Sequence, residues 1–91
     1  MCRSIKPLFN FDPSATDEEV RAAALQFVRK LSGYHHPSQA NEQAFDRGVD
    51  EITIAARQLL DSLVTEAIPK DREVEAAKAR ERFAKRYNEV N

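Results

Sequence analysis

From Phe45 onward the chain carries apolar residues at Phe45, Val49, Ile52, Ala56, Leu59 and Leu63, a four-three spacing that keeps one face of a helix dry for about five turns. A strand would need alternation with period two, so this segment is a helix, and its face must be covered by another apolar surface. The stripe says how the chain folds and is silent about chemistry, because no nucleophile, phosphate loop or metal-ligand spacing accompanies it.

Around this spine the helix signals are local. Thr16 followed by Asp17, Glu18 and Glu19 fits a capping box, in which the Thr hydroxyl accepts from the Glu19 amide and the Glu19 carboxylate accepts from the Thr16 amide. A first helix over 16–32 follows, with Val20, Ala24, Phe27 and Leu31 inward, acids in its first turn, Arg29 and Lys30 in its last, and Gly33 as a left-handed cap. Tyr34, His35, His36 and Pro37 form a turn anchored by Tyr34. Ser38 is placed to cap a second helix over 38–65, weakened slightly by Gly48 and Thr53. Ile68 and Pro69 interrupt the pattern, and Asp71 caps a third helix over 71–89 whose apolar content is Val74, Ala77, Phe83, Ala84, Tyr87 and Val90. Ahead of all this, residues 1–15 contain Pro7, Leu8, Phe9, Phe11 and Pro13. They resist helix and carry aromatics that are costly to leave in water, so an extended arm lying on the helices is expected.

The predicted fold is all-α: a small three-helix bundle around a long central helix with an extended N-terminal arm, one helical domain over 1–91 divided into arm (1–15) and bundle (16–91). Its core should hold Val20, Phe27, Leu31, Phe45, Val49, Ile52, Leu59, Leu63 and Phe83. Two Gly and four Pro leave little material for hairpins. At 91 residues, a chain buries only about 60–65% of its unfolded surface, so a dimer or a docked terminus would help it. Ile54 and Leu60 fall beside the main stripe, which gives the second helix more apolar surface than its two neighbours can cover and makes a homodimer plausible.

Composition excludes more than it assigns. Fourteen Lys plus Arg against 15 Asp plus Glu give a net charge of -1, so no global field draws the chain to nucleic acid or an anionic membrane. The single cysteine cannot form an internal disulfide, the N-terminal residues lack a secretory leader, and charges interrupt every apolar run well short of the roughly 18 residues that cross a bilayer. A cytoplasmic location without membrane contact is expected.

Three chemical readings are available. Cys2, once Met1 is removed, would place a thiol beside an amine, with Arg3 and Lys6 near it, yet no oxyanion site or orienting acid is evident. Cys2, His35 and His36 make at most three metal ligands, and adjacent histidines usually point apart, so a solvated turn explains them as well. Residues 70–86 hold seven cations against four acids, including Lys78, Arg82, Lys85 and Arg86 on a basic helix able to track phosphates or nucleic acid. Residues 38–66 hold two cations against six acids, so pairing between the helices explains the same distribution. The leading expectation is a non-enzymatic protein-interaction module with no cofactor, acting through a partner protein or its own dimer.

Several blocks carry a family resemblance: Met1-Cys2-Arg3-Ser4-Ile5-Lys6, the run from Arg21 to Lys30 with Ser32-Gly33, Pro37-Ser38-Gln39-Ala40-Asn41 with Ala44-Phe45, Leu59-Leu60-Asp61, and the run from Pro69 to Ala77. With them the chain resembles a small bacterial family, domain of unknown function 2277. Members of that family usually have Asn at the place of Ser4 and Ala at the place of Gly48, and the histidine pair is not part of their pattern. The resemblance implies no catalytic residue, cofactor or partner.

Overall fold

The computed structural model describes the backbone of residues 5–90 and the side chains of residues 5–84. The chain runs through β1 (Phe11–Asp12), α1 (Asp17–Ser32), a 3-10 turn (Gln39–Asn41), α2 (Glu42–Ser62), β2 (Lys70–Asp71) and α3 (Arg72–Val90). The fold is all-α with three helices, as predicted. The only sheet among the described residues is a parallel two-residue ladder pairing Phe11 with Lys70 and Asp12 with Asp71.

The first helix begins and ends where its local chemistry dictates. The Glu19 amide donates to Thr16 Oγ1 (3.1 Å) and the Thr16 amide donates to Glu19 Oε1 (3.0 Å), which satisfies two amides that the helix itself leaves unpaired. At the other end Gly33 adopts φ 80° and donates to the Arg29 carbonyl at 2.9 Å, a conformation that costs a residue with a Cβ far more than glycine. Asp71 caps α3 as expected, its Oδ1 accepting from the Val74 amide at 3.0 Å.

The second helix is shorter than the expected 38–65. The Ser38 hydroxyl accepts from the Asn41 side chain (2.9 Å) and not from a backbone amide, so a 3-10 turn intervenes and the α-helix starts at Glu42. It stops at Ser62, because Leu63 is extended at ψ 141°. At 1.5 Å per residue α2 is still about 31 Å long and remains the longest element.

α1 and α2 lie antiparallel as a helical hairpin. Arg21 pairs with Asp50 at 2.6 Å, while Arg57 pairs with Asp17 at 3.7 Å and donates to the Ala15 carbonyl at 2.9 Å, so the end of α2 meets the start of α1. Between them lies the core of Val20, Ala24, Val28, Phe45 and Val49, with Leu25 and Ile52 packed against it. On α1 the buried line is therefore Val20, Ala24 and Val28, not the expected line ending in Phe27 and Leu31. Those two residues, with Leu59, Leu63 and Phe83, were expected inside and are exposed. The periodicity located the apolar stripe correctly, but α1 covers only one side of it.

The arm and α3 join at the N-terminal end of α1. Asn10 takes a left-handed φ of 63°, a region that Asn enters more readily than most residues with a Cβ. Its carbonyl accepts from the Lys70 amide at 2.8 Å, and its side-chain amide donates to the Ala67 and Ile68 carbonyls at 3.4 Å each. Arg72, the first residue of α3, donates to the Glu19 carboxylate and to the Pro13 and Ser14 carbonyls. The result is flat, with extents of 44 × 41 × 15 Å and a radius of gyration of 16.1 Å, against about 12 Å for a rounded domain of this length. With α1 packed on α2 and α3 packed on β2, the two helices of the hairpin form a single layer.

Candidate functional site

Because the helices lie in one layer, the hairpin has two open faces, and its ion pairs identify them. Arg21, Asp50, Asp17 and Arg57 bridge α1 and α2 on one side. Helical periodicity of 100° per residue puts the opposite side at Ala23, Phe27 and Leu31 of α1 and Gly48, Ile52, Ala55 and Leu59 of α2, with Leu63 directly after the last turn of α2. None of these eight carries a charge. Phe27 is 46% exposed, Leu31 73%, Leu59 58% and Leu63 43%, so large side chains that sequence periodicity assigns to a core stand in water together. Scattered exposed leucines need no explanation, whereas a contiguous uncharged face spanning two helices is the signature of a docking surface.

A second candidate lies between the arm and α3. A groove of about 510 Å³ is floored by Pro7, Leu8, Phe11, Ala76 and Ala79 and edged by Lys6, Lys70, Arg72 and Arg82, with Glu73 and Glu75 also at its wall. The Lys70 ammonium sits 5.6 Å from the Phe11 ring centroid and the Arg72 guanidinium 6.0 Å from it, within cation–π range. Arg72 is committed to Glu19. Among the described residues, Lys6, Lys70 and Arg82 form no ion pair.

The Arg72 contact also displaces the titration of Glu19. Its hydrogen bond to the Glu19 carboxylate, aided by the Thr16 amide, holds Glu19 at about 2 against 4.5 for a free glutamate. Glu19 thus serves two elements at once, capping α1 and anchoring α3.

The residues singled out from sequence are not gathered into one site. His35 and His36 are exposed in the turn, their rings 4.4 Å apart and edge to face. Arg29 Nε donates to the His35 carbonyl at 3.0 Å, and Tyr34 anchors the turn by accepting from the Asn41 side chain at 3.3 Å. Cys2 lies outside the described residues; among those described, no group of three or more His, Cys, Asp or Glu is placed to hold a metal ion. Lys78 pairs with Glu75 at 3.8 Å, Arg82 edges the groove, and the side chains of Lys85 and Arg86, like those of Tyr87 and Val90, lie outside the described residues. No helix among the described residues is long and apolar enough to cross a membrane. Sequence reasoning missed the roles of Asn10, Phe11 and Arg72, whose contacts join segments more than fifty residues apart and have no local signature.

A family model described as an uncharacterized conserved protein, DUF2277, matches residues 1–78, and the chain belongs to that family. No curated protein and no solved structure matches it.

Proposed function

We propose that this member of the DUF2277 family is a non-enzymatic protein-interaction module of the cytoplasm, and that its working surface is the uncharged face of the α1–α2 hairpin. The observation that supports this reading is the set of large apolar residues, Phe27, Leu31, Leu59 and Leu63, left in water on one side of a single helical layer. Burying such a face yields about 25 cal/mol for each Å² removed from water, and docking against a second helical surface removes it most fully. A photocrosslinking amino acid in place of Leu59 is expected to form protein adducts in living cells, while the same group in place of Gln58, exposed on the ion-paired side, forms none. Equal yields at the two positions, or none at either, would reject this surface.

The arm–α3 groove favours a second reading, phosphate or nucleic-acid contact, because three of the cations at its edge form no ion pair among the described residues and its floor is apolar. Cation–phosphate contacts release counterions, so binding of a labelled oligonucleotide should weaken steeply with added salt, and Arg82→Gln should make that dependence shallower by about one counterion. Binding indifferent to salt, or no binding at low salt, removes this reading. Thiol or metal chemistry at Cys2 has no supporting observation among the described residues.

A further inference from the structure

The chain as a whole exposes more surface than one of its mass should. At 10.3 kDa, a folded monomer exposes about 5,400 Å² by the usual scaling of area with mass, whereas this one exposes 7572 Å². The excess of roughly 2,000 Å² is spread over the whole chain, and the exposed Phe27, Leu31 and Leu59 of this face contribute to it.

The face is also patterned to receive itself. Along α2 its residues are Gly48, Ile52, Ala55 and Leu59, which read small, large, small, large at four-three-four spacing. Reversed, the same series reads large, small, large, small. An antiparallel copy of α2, related by a two-fold axis level with Thr53 and Ile54, therefore sets Gly48 against the partner's Leu59 and Ile52 against the partner's Ala55. Each large side chain meets a small one, as close helix packing requires. Nothing lies within 4 Å of where a Cβ on Gly48 would stand, so the space beside it is open to an incoming leucine.

We infer that the occupant of this face is a second copy of the chain, bound face to face about a two-fold axis so that two α1–α2 layers close into a four-helix bundle. The inference rests on the reading of this face as the working surface and names what covers it. A two-fold interface must be self-complementary, and the alternation along α2 supplies that property.

The test is sedimentation equilibrium of the full-length chain with three variants. Wild type should approach twice 10.3 kDa. Gly48→Leu should raise the dimer dissociation constant by about tenfold or more, since it sets leucine against leucine. It should leave the melting temperature of the dilute monomer undiminished, because leucine is the better helix former and its site is open. Leu59→Ala should weaken the dimer too. The double variant Gly48→Leu with Leu59→Ala again sets a large side chain against a small one at that contact, with the two exchanged, and should recover much of the affinity, a rescue that damage to the monomer would not produce. A monomeric wild type, an unaffected Gly48→Leu dimer, or a double variant weaker than both singles would overturn the inference. Should wild type be monomeric while position 59 still crosslinks to other proteins, the dimer falls and the interaction module stands; absence of crosslinks removes both.

Discussion

Phe45→Ala should leave a sizeable fraction of molecules, up to about half, without helical far-ultraviolet dichroism. Phe45 is the one aromatic in a core otherwise made of Val20, Ala24, Val28 and Val49, and truncating a buried Phe to Ala costs about 3–5 kcal/mol in lost transfer energy and cavity formation. A chain of 91 residues has about 5–14 kcal/mol of total stability, and one with so few buried side chains belongs near the lower limit. The loss is therefore comparable with the whole. The matching control is Phe83→Ala, the same truncation at a side chain 71% exposed, which should change stability by less than about 0.5 kcal/mol. Thermal melts of the two variants decide the matter. If both shifted alike, the core would not lie between α1 and α2.

The second large effect concerns the attachment of α3. Arg72→Gln removes the guanidinium from the Glu19 carboxylate and from the Pro13 and Ser14 carbonyls together. Hydrogen exchange at the Lys70 amide, which donates to Asn10, and in the first turn of α3 should accelerate severalfold, while amides inside α1 and α2 keep their protection. Acid should reproduce the effect in the wild type. The folded protein holds Glu19 at about 2, below the 4.5 of the free group, so the stabilisation it supplies is fully present above pH 4.5 and is lost as the pH falls through about 2. Glu19→Gln should therefore differ most from wild type at neutral pH, and the gap in melting temperature should close across that acidic range. A gap independent of pH would show that the carboxylate charge does not hold the two elements together.

Where a structural feature depends on neighbours in sequence, its residues reveal it. The ends of α1 follow from Thr16, Glu19 and Gly33, and the start of α3 follows from Asp71, because each cap is closed by groups a few residues apart. The start of α2 was misplaced because Ser38 looks like a cap in one dimension, yet its hydroxyl is taken by the Asn41 side chain. The apolar stripe of α2 is legible as a stripe, but period alone cannot say which part of it a neighbour covers. Phe45 and Val49 were covered by α1, while Leu59 and Leu63 were left in water. For the same reason the candidate site was legible only as an excess of apolar surface. Its location needed the Arg21–Asp50 and Arg57–Asp17 pairs to show which side of the hairpin is polar. The groove depends on the pairing of Phe11 with Lys70, a relation that no local pattern announces.

That pairing also orders events as the chain folds. The hairpin joins neighbouring elements through a short turn, whereas the arm must find residues almost sixty positions away, and closing so long a loop costs entropy before any contact repays it. The hairpin shortens the search, because Arg57 grips the Ala15 carbonyl and brings the foot of the arm beside the end of α2. During synthesis the arm thus stays unfixed while the hairpin forms, waiting until Lys70 and Arg72 have emerged to hold it.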